Sequence, residues 1–575
     1  MYNDRASVVG SLCLLCALLR PLPLLADAPP AVQVDELFVQ FDRPSMPGCA
    51  VGIIREGKLL YSRGFGAANL DFEVPNSPET IFEIGSFAKS FTCACVAILL
   101  DRGKITQDAD IRCYLPEMHA FAPPVRIQDL IRCESGVWDQ WHVAQLAGWQ
   151  AQPVEAPYGK SDMLTLLSGQ RTLPFEPGSQ FRYGTGDYFL LSMIVERVTG
   201  QTFADFARDQ LFRPLGMRRT FQMENPAQIV PQRATGYDHR SRGTWVPWLQ
   251  GSAAPGGRGL YTCVEDLYRW DQGLQQRQLP SGKYMQEFLE RGTLLENRRV
   301  LDARPSGTYR GLKRIQFTGG MPGYVAAMTR FPDQRFTVIC LCNNSQIAPW
   351  EINARIADIY LNKELGPPEP STDHDAAGRE QDHKVRLDDR DLRDKVGAFR
   401  LRGEDRIWKI EWSEGQLTLV DHLNEPHPLI PMGRNRFRPL GGFFHESARL
   451  VFERTSATAP YSLTSRWVGG TLEFDRVNLA EPSEQSLRDY VGEYYSDELA
   501  TTYRCRVEKG KLWLRVNNRG WEPLDATVCD EFVPGDRENH DNRILRFLRD
   551  PQGQVTGMSA SLWRVKGIAF KRIAR

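Results

Sequence analysis

The chain has 575 residues, 42% of them hydrophobic and 25% charged, an ordinary globular composition long enough for several domains. Its 71 basic and 71 acidic residues cancel. That balance leaves no electrostatic footprint for nucleic acid or for an anionic membrane surface.

At the N-terminus, Ser7 to Leu19 is a short apolar run preceded by Arg5. It is too short to span a bilayer but fits a signal-peptide core, and Ala26-Asp27-Ala28 offers a small-residue cleavage pattern. Residues 1–28 are therefore expected to be a signal peptide, and the protein secreted or periplasmic. No later segment is long and apolar enough to predict an integral membrane span.

Residues 32–365 read as one continuous unit of strands and helices. Cys49–Ile54 and Leu59–Ser62 are strand-like runs joined at Arg55-Glu56-Gly57-Lys58. An apolar helical run extends from Ser86 to Leu100. A second helix runs from Tyr188 to Val198, with Gly200 as its stop. Gly256-Gly257-Arg258-Gly259 reads as a tight turn before a helix at Val264–Leu274. Tyr324–Phe331 and Phe336–Leu341 form another hairpin.

Residues 366–390 are crowded with proline and charge and read as a linker. Beyond it lies an internal repeat at an offset of 95. Leu392-Arg393-Asp394 recurs as Leu487-Arg488-Asp489, Phe437 as Phe532 and Leu450 as Leu545. Near the end the repeat slips by one, aligning Phe474 with Phe570. Short alternating runs such as Arg406–Trp412 and Lys511–Val516 predict two small antiparallel β domains, 391–480 and 486–575, barrels or strongly curved sheets. Neither copy shows a catalytic constellation. Asp421-His422 reads as a solvated turn.

The chemistry points to Ser86-Phe87-Ala88-Lys89. On a helix, residues three apart share a face, which sets the Lys89 amine beside the Ser86 hydroxyl. A serine needs such a neighbour to become a nucleophile at neutral pH. Competing solutions are poorly supported. The unit's histidines, His119, His142 and His239, lack the helix-start or strand-end setting of a base, and no G-x-S-x-G elbow occurs. Gly159-Lys160-Ser161 is not a P-loop, because Val154 stands where its first glycine belongs. The 12 cysteines show no metal-ligand spacing; Cys93/Cys95 and Cys340/Cys342 read as small buried hydrophobes. No metal and no cofactor is predicted.

Further segments recur in order: Ile127-Gln128-Asp129-Leu130, Ser135-Gly136, Pro177-Gly178, Tyr183, Pro214-Leu215-Gly216-Met217, Glu265-Asp266-Leu267, Phe317-Thr318-Gly319-Gly320 and Pro322-Gly323-Tyr324. With Ser86 and Lys89, they resemble the serine β-lactamase and penicillin-binding protein-like superfamily over roughly residues 32–365. The likeness is to its class C β-lactamase, esterase and D-aminopeptidase branch. It implies an α+β fold, an antiparallel sheet flanked by helices. It also implies an acyl-enzyme on Ser86, activated by Lys89, with Tyr183 shuttling the proton. The backbone N–H groups of Ser86 and Gly320 would form the oxyanion hole, and Thr185, Phe317, Thr318 and Gly319 would line the substrate site. Thr185 stands where the family has an asparagine, and Phe317 where it has a lysine or histidine. Both departures argue against an efficient β-lactamase. The expected partner is a small-molecule or peptide substrate: an ester, an amide or a D-amino-acid peptide. The alternative is a catalytically degenerate member that binds or scaffolds. The oligomeric state is not indicated.

Overall fold

A computed structural model describes residues 29–149, 158–239, 244–248, 254–280, 282–291, 307–367, 387–413, 415–421, 426–440, 448–456, 459–467, 470–535 and 543–573. The expected signal peptide, most of the linker and His422 lie outside the described residues.

The two hairpins read from sequence join into one antiparallel sheet. Its six strands run in the order Gly307–Tyr309, Leu312–Met321, Tyr324–Phe331, Phe336–Cys342, Cys49–Arg55, Lys58–Phe65. The first and last parts of the unit thus meet at its centre, where Cys49 faces Cys342 and Arg55 faces Phe336. The strands Tyr324–Phe331 and Phe336–Cys342 are buried throughout, as expected of strands covered on both faces. One face packs Val34, Phe38, Ile352 and Ile356 from the helices Pro30–Phe38 and Pro349–Tyr360. Cys49, Cys340 and Cys342 lie in that apolar layer, their sulfurs within 4.8 Å of one another. The other face packs the helices Ala88–Asp101, Gly186–Thr199 and Val264–Gln275. The second of these ends at Gly200 in the left-handed region, the stop that glycine permits at low cost.

Two closed eight-stranded antiparallel barrels follow, one between Gly397 and Val477 and one between Gly492 and Ile573. The repeat is visible as register. Phe437 pairs with Leu450 in the first and Phe532 with Leu545 in the second. Thr418 pairs with Pro428, and Trp513 with Pro523. The slip of one is a β-bulge. In the second barrel the register shifts between Ala560 and Leu562, opposite Gly567 at φ +70°. Asp421 differs from expectation: it is buried and 3.0 Å from His427 Nε2.

The second barrel shares one apolar core with the catalytic unit, whereas the first keeps its own. Tyr503 donates to the Leu146 carbonyl at 2.7 Å, Asn517 donates to the Ala147 carbonyl at 3.2 Å, and the Arg171 N–H donates to Glu498 at 2.8 Å. Among the described residues, no helix is long and apolar enough to cross a membrane.

Candidate active site

Ser86 sits in a single 3₁₀ turn, Gly85–Phe87, that leads into the helix Ala88–Asp101. The serine thus stands just ahead of the α-helix rather than on its first turn. Gly85 enters at φ +50°, where glycine carries little penalty. Lys89 is buried, and its Nζ donates to Ser86 Oγ and to the Gly257 carbonyl, each at 3.3 Å. The rings of Tyr183 and Tyr188 flank the amine, their centroids 4.6 and 5.5 Å from Nζ. A neighbouring bond, from the Thr92 hydroxyl to the Gly256 carbonyl at 2.7 Å, ties the same glycine segment to the helix.

The strand Leu312–Met321 closes the opposite side. A Cβ on Gly319 would fall 2.0 Å from the Ile84 carbonyl oxygen and 2.7 Å from Ser86 N. Only glycine lets the strand lie this close to the serine turn. A Cβ on Gly85 would come within 2.8 Å of Gly320 N. The backbones of Ser86 and Gly320 therefore meet at one junction. Along the strand, half-buried Thr318 and exposed Gly320 alternate with buried Phe317 and Gly319. Phe317 is stacked on Phe87, ring centroids 5.2 Å apart. Its ring backs the serine turn.

Thr185 is tied down. Its N–H and hydroxyl donate to Asp139 Oδ2 at 3.0 and 2.8 Å, and Gln140 Oε1 lies 2.9 Å from the same hydroxyl. Asp139 precedes the helix Gln140–Leu146, and its carboxylate also meets His142 Nδ1 at 2.8 Å. Burial alone would raise its pKa. His142, Arg564 and the Thr185 N–H outweigh that and hold the carboxyl well below the usual range. Beside it, burial pushes Asp187 up to about 7, opposed by the Ser135 hydroxyl that donates to it and by Lys89.

Arg564 comes from the second barrel. It lies at the tip of the hairpin formed by Val555–Leu562 and Val565–Ile573. Its Nη1 donates to Asp139 Oδ2 at 3.3 Å, and its guanidinium carbon stands 4.8 Å from the Tyr183 ring centroid. The adjacent Trp563 ring contacts His142 at 5.3 Å between centroids. On the glycine segment, Arg258 lies over the Trp141 ring, 3.3 Å from its centroid. Behind it, Glu83 accepts from the Gly259 N–H at 3.1 Å and the Tyr261 hydroxyl at 3.2 Å.

Among the sequence-selected residues, Ser86, Lys89, Tyr183, Gly319 and Gly320 come together, with Phe317 behind them and Thr185 held against Asp139. Sequence reasoning overlooked Asp139, Arg258 and Arg564. It also set His142 aside for lack of a helix-start context, yet His142 lies in the first turn of a helix. The Gly-rich run at 256–259, read as a plain turn, was a usable signal. Nothing in the repeat marked Arg564, because its position depends on how a barrel docks.

An antiparallel sheet between helical layers, with a Ser-x-x-Lys turn against a glycine strand, defines the serine β-lactamase and penicillin-binding protein-like class. A family model described as Beta-lactamase matches residues 34–361, over half of the chain, and the chain belongs to that family. It is similar to a D-aminopeptidase of Gluconobacter oxydans, 26% identical over 337 residues, covering 56% of this chain and 62% of that one. It is also similar to a D-aminopeptidase of Brucella anthropi, 23% identical over 547 residues, covering 92% and 95% respectively. In fold it resembles the octameric penicillin-binding protein homologue from Pyrococcus abyssi, with a TM-score of 0.52 at 19% identity, covering 77% of this chain and 99% of that one. The match to the Brucella relative extends over both barrels.

Proposed function

We propose that the protein is a serine hydrolase that forms an acyl-enzyme on Ser86 and hydrolyses small esters, amides or peptides. D-amino-acid peptides are the leading candidates, because D-aminopeptidases are among its relatives. The observation that carries this reading is the 3.3 Å contact between Lys89 Nζ and Ser86 Oγ. Ser86 Oγ attacks the substrate carbonyl carbon. Its proton passes through Lys89 and Tyr183 to the leaving nitrogen or oxygen as that bond breaks. The N–H groups of Ser86 and Gly320 hold the developing oxyanion, a role for which preorganised backbone donors are suited. Water then adds to the acyl carbon and releases Ser86. With Phe317 in its stack on Phe87, the site lacks the cation that family β-lactamases carry there, and efficient β-lactam hydrolysis is not expected.

A fluorophosphonate probe should label the folded protein, and Ser86→Ala should abolish the labelling. Folded protein that takes up no label would overturn the reading. D-Alanine p-nitroanilide tests the substrate class: turnover lost in Ser86→Ala supports it.

A further inference from the structure

Among the described residues, three buried donors near the candidate nucleophile have no acceptor: Arg258 Nε, Arg564 Nε and Trp141 Nε1. Leaving such groups unpaired away from water is costly, so a buried donor in a native site is expected to meet an ordered water, an ion or a ligand. Arg258 is the extreme case. Among the described residues it makes no hydrogen bond and no ion pair, although its side chain is half-buried and laid on the Trp141 ring. Its nearest carboxylates are otherwise engaged. Glu83 accepts from Gly259 and Tyr261, and Asp139 is taken by Thr185, His142 and Arg564. Gly257, the neighbouring residue, receives the Lys89 amine, so the guanidinium is anchored one residue from the catalytic centre.

Building on the reading of Ser86 as nucleophile, we propose that Arg258, beside Trp141 Nε1, is the receptor for a carboxylate on the substrate. The proposed activity thus selects an anionic acyl group or an anionic leaving group. A guanidinium offers a planar fork that matches a carboxylate with two parallel bonds, and an indole N–H can add a third donor. The local charge favours this. Two guanidiniums, Arg258 and Arg564, stand near Asp139, whose carboxyl is held well below the usual range, while burial pushes Glu83 and Asp187 up to about 7. The cation missing at Phe317 is in this way supplied from the glycine segment that precedes the strand Leu260–Thr262.

The test compares matched substrates with the full-length protein. One pair varies the acyl side: glutaryl p-nitroanilide against its neutral glutaramide counterpart. The other varies the leaving side: D-alanyl-D-alanine against its C-terminal amide. Wild type should favour the acid in at least one pair by about tenfold or more in kcat/KM, and salt should erode that preference as it screens the charge. Arg258→Gln should collapse the ratio toward one, mainly through KM, and Arg258→Lys should restore part of it. A melting curve for each variant establishes that it is folded. If neither pair shows an acid preference in an enzyme that turns over, the inference falls. It falls equally if the preference survives Arg258→Gln. Failure of the hydrolase reading is distinct: wild type would then take no fluorophosphonate label.

Discussion

The two barrels share a repeat, a strand count and a register, yet they hold different positions. The second runs its core into the catalytic unit and sets Arg564 against Asp139 and the Tyr183 ring. The first closes around its own core and bonds to the second through charge. Arg400 and Asp405 of the first interlock with Glu531 and Arg546 of the second, at 2.7 to 2.9 Å. Duplication therefore produced two similar folds, and among the described residues it is the second that sets a side chain against Asp139 and the Tyr183 ring. The local difference is small. Leu463 pairs with Phe474 in the first copy and Met558 with Phe570 in the second, one residue longer. That extra residue is the bulge beneath the hairpin whose tip is Trp563-Arg564, and bulges bend a strand and re-aim what it carries.

If this contrast is correct, the strongest way to break it is Arg564→Ala. Removing a cation from between Asp139 and the Tyr183 ring should lower kcat/KM by at least about tenfold, an effect of about 1.4 kcal/mol. Unchanged hydrolysis would place the second barrel outside the chemistry. The next test addresses the first barrel. Glu531 is buried at 1% side-chain exposure between Arg400 and Arg546. Glu531→Gln leaves two guanidiniums sharing Asp405 alone, and should cost about 2 kcal/mol, moderated by the partial exposure of both arginines. It should lower the melting temperature and its salt dependence, while hydrolysis stays within about twofold. A third, smaller effect concerns the seam with the catalytic unit. Tyr503→Phe leaves the buried Leu146 carbonyl without its donor and should cost about 1.5 kcal/mol by denaturant midpoint, with slope unchanged.

What could be read in advance follows from how local each signal is. The hairpins, the Ser86 helix and the Gly200 stop were legible because periodicity and glycine placement act over a few residues. The repeat was legible because duplicated barrels conserve the side chains that alternate inward, such as Phe437 and Phe532. Ser86, Lys89 and Gly320 were legible as motifs. The rest depends on long-range docking. Asp139 became a hub only when Thr185, 46 residues later, and Arg564, 425 residues later, were folded against it. Phe317 read as a wall of the substrate site, and became a backing for the serine turn once Phe87 was found beneath it. The slip in the repeat was visible as an offset, but that it was a bulge under the Trp563-Arg564 tip was visible only in three dimensions.

The finest test acts on that bulge. Gly567 adopts φ +70°, and a Cβ there would meet nothing within 4 Å. Its N–H donates to Ser561 Oγ at 3.0 Å across the hairpin base. Gly567→Ala therefore adds backbone strain without a clash, about 1 kcal/mol. Residues that resist the left-handed region favour a regular ladder, so the second hairpin should move toward the bulge-free form of the first. Two outcomes separate the role of the bulge from simple stability. If it aims Arg564, Gly567→Ala should lower kcat/KM in the same sense as Arg564→Ala, and the double variant should be no worse than Arg564→Ala alone. If the bulge is only tolerated, the melting temperature falls slightly and the two kinetic effects are independent, which would reduce the contrast between the barrels to their docking.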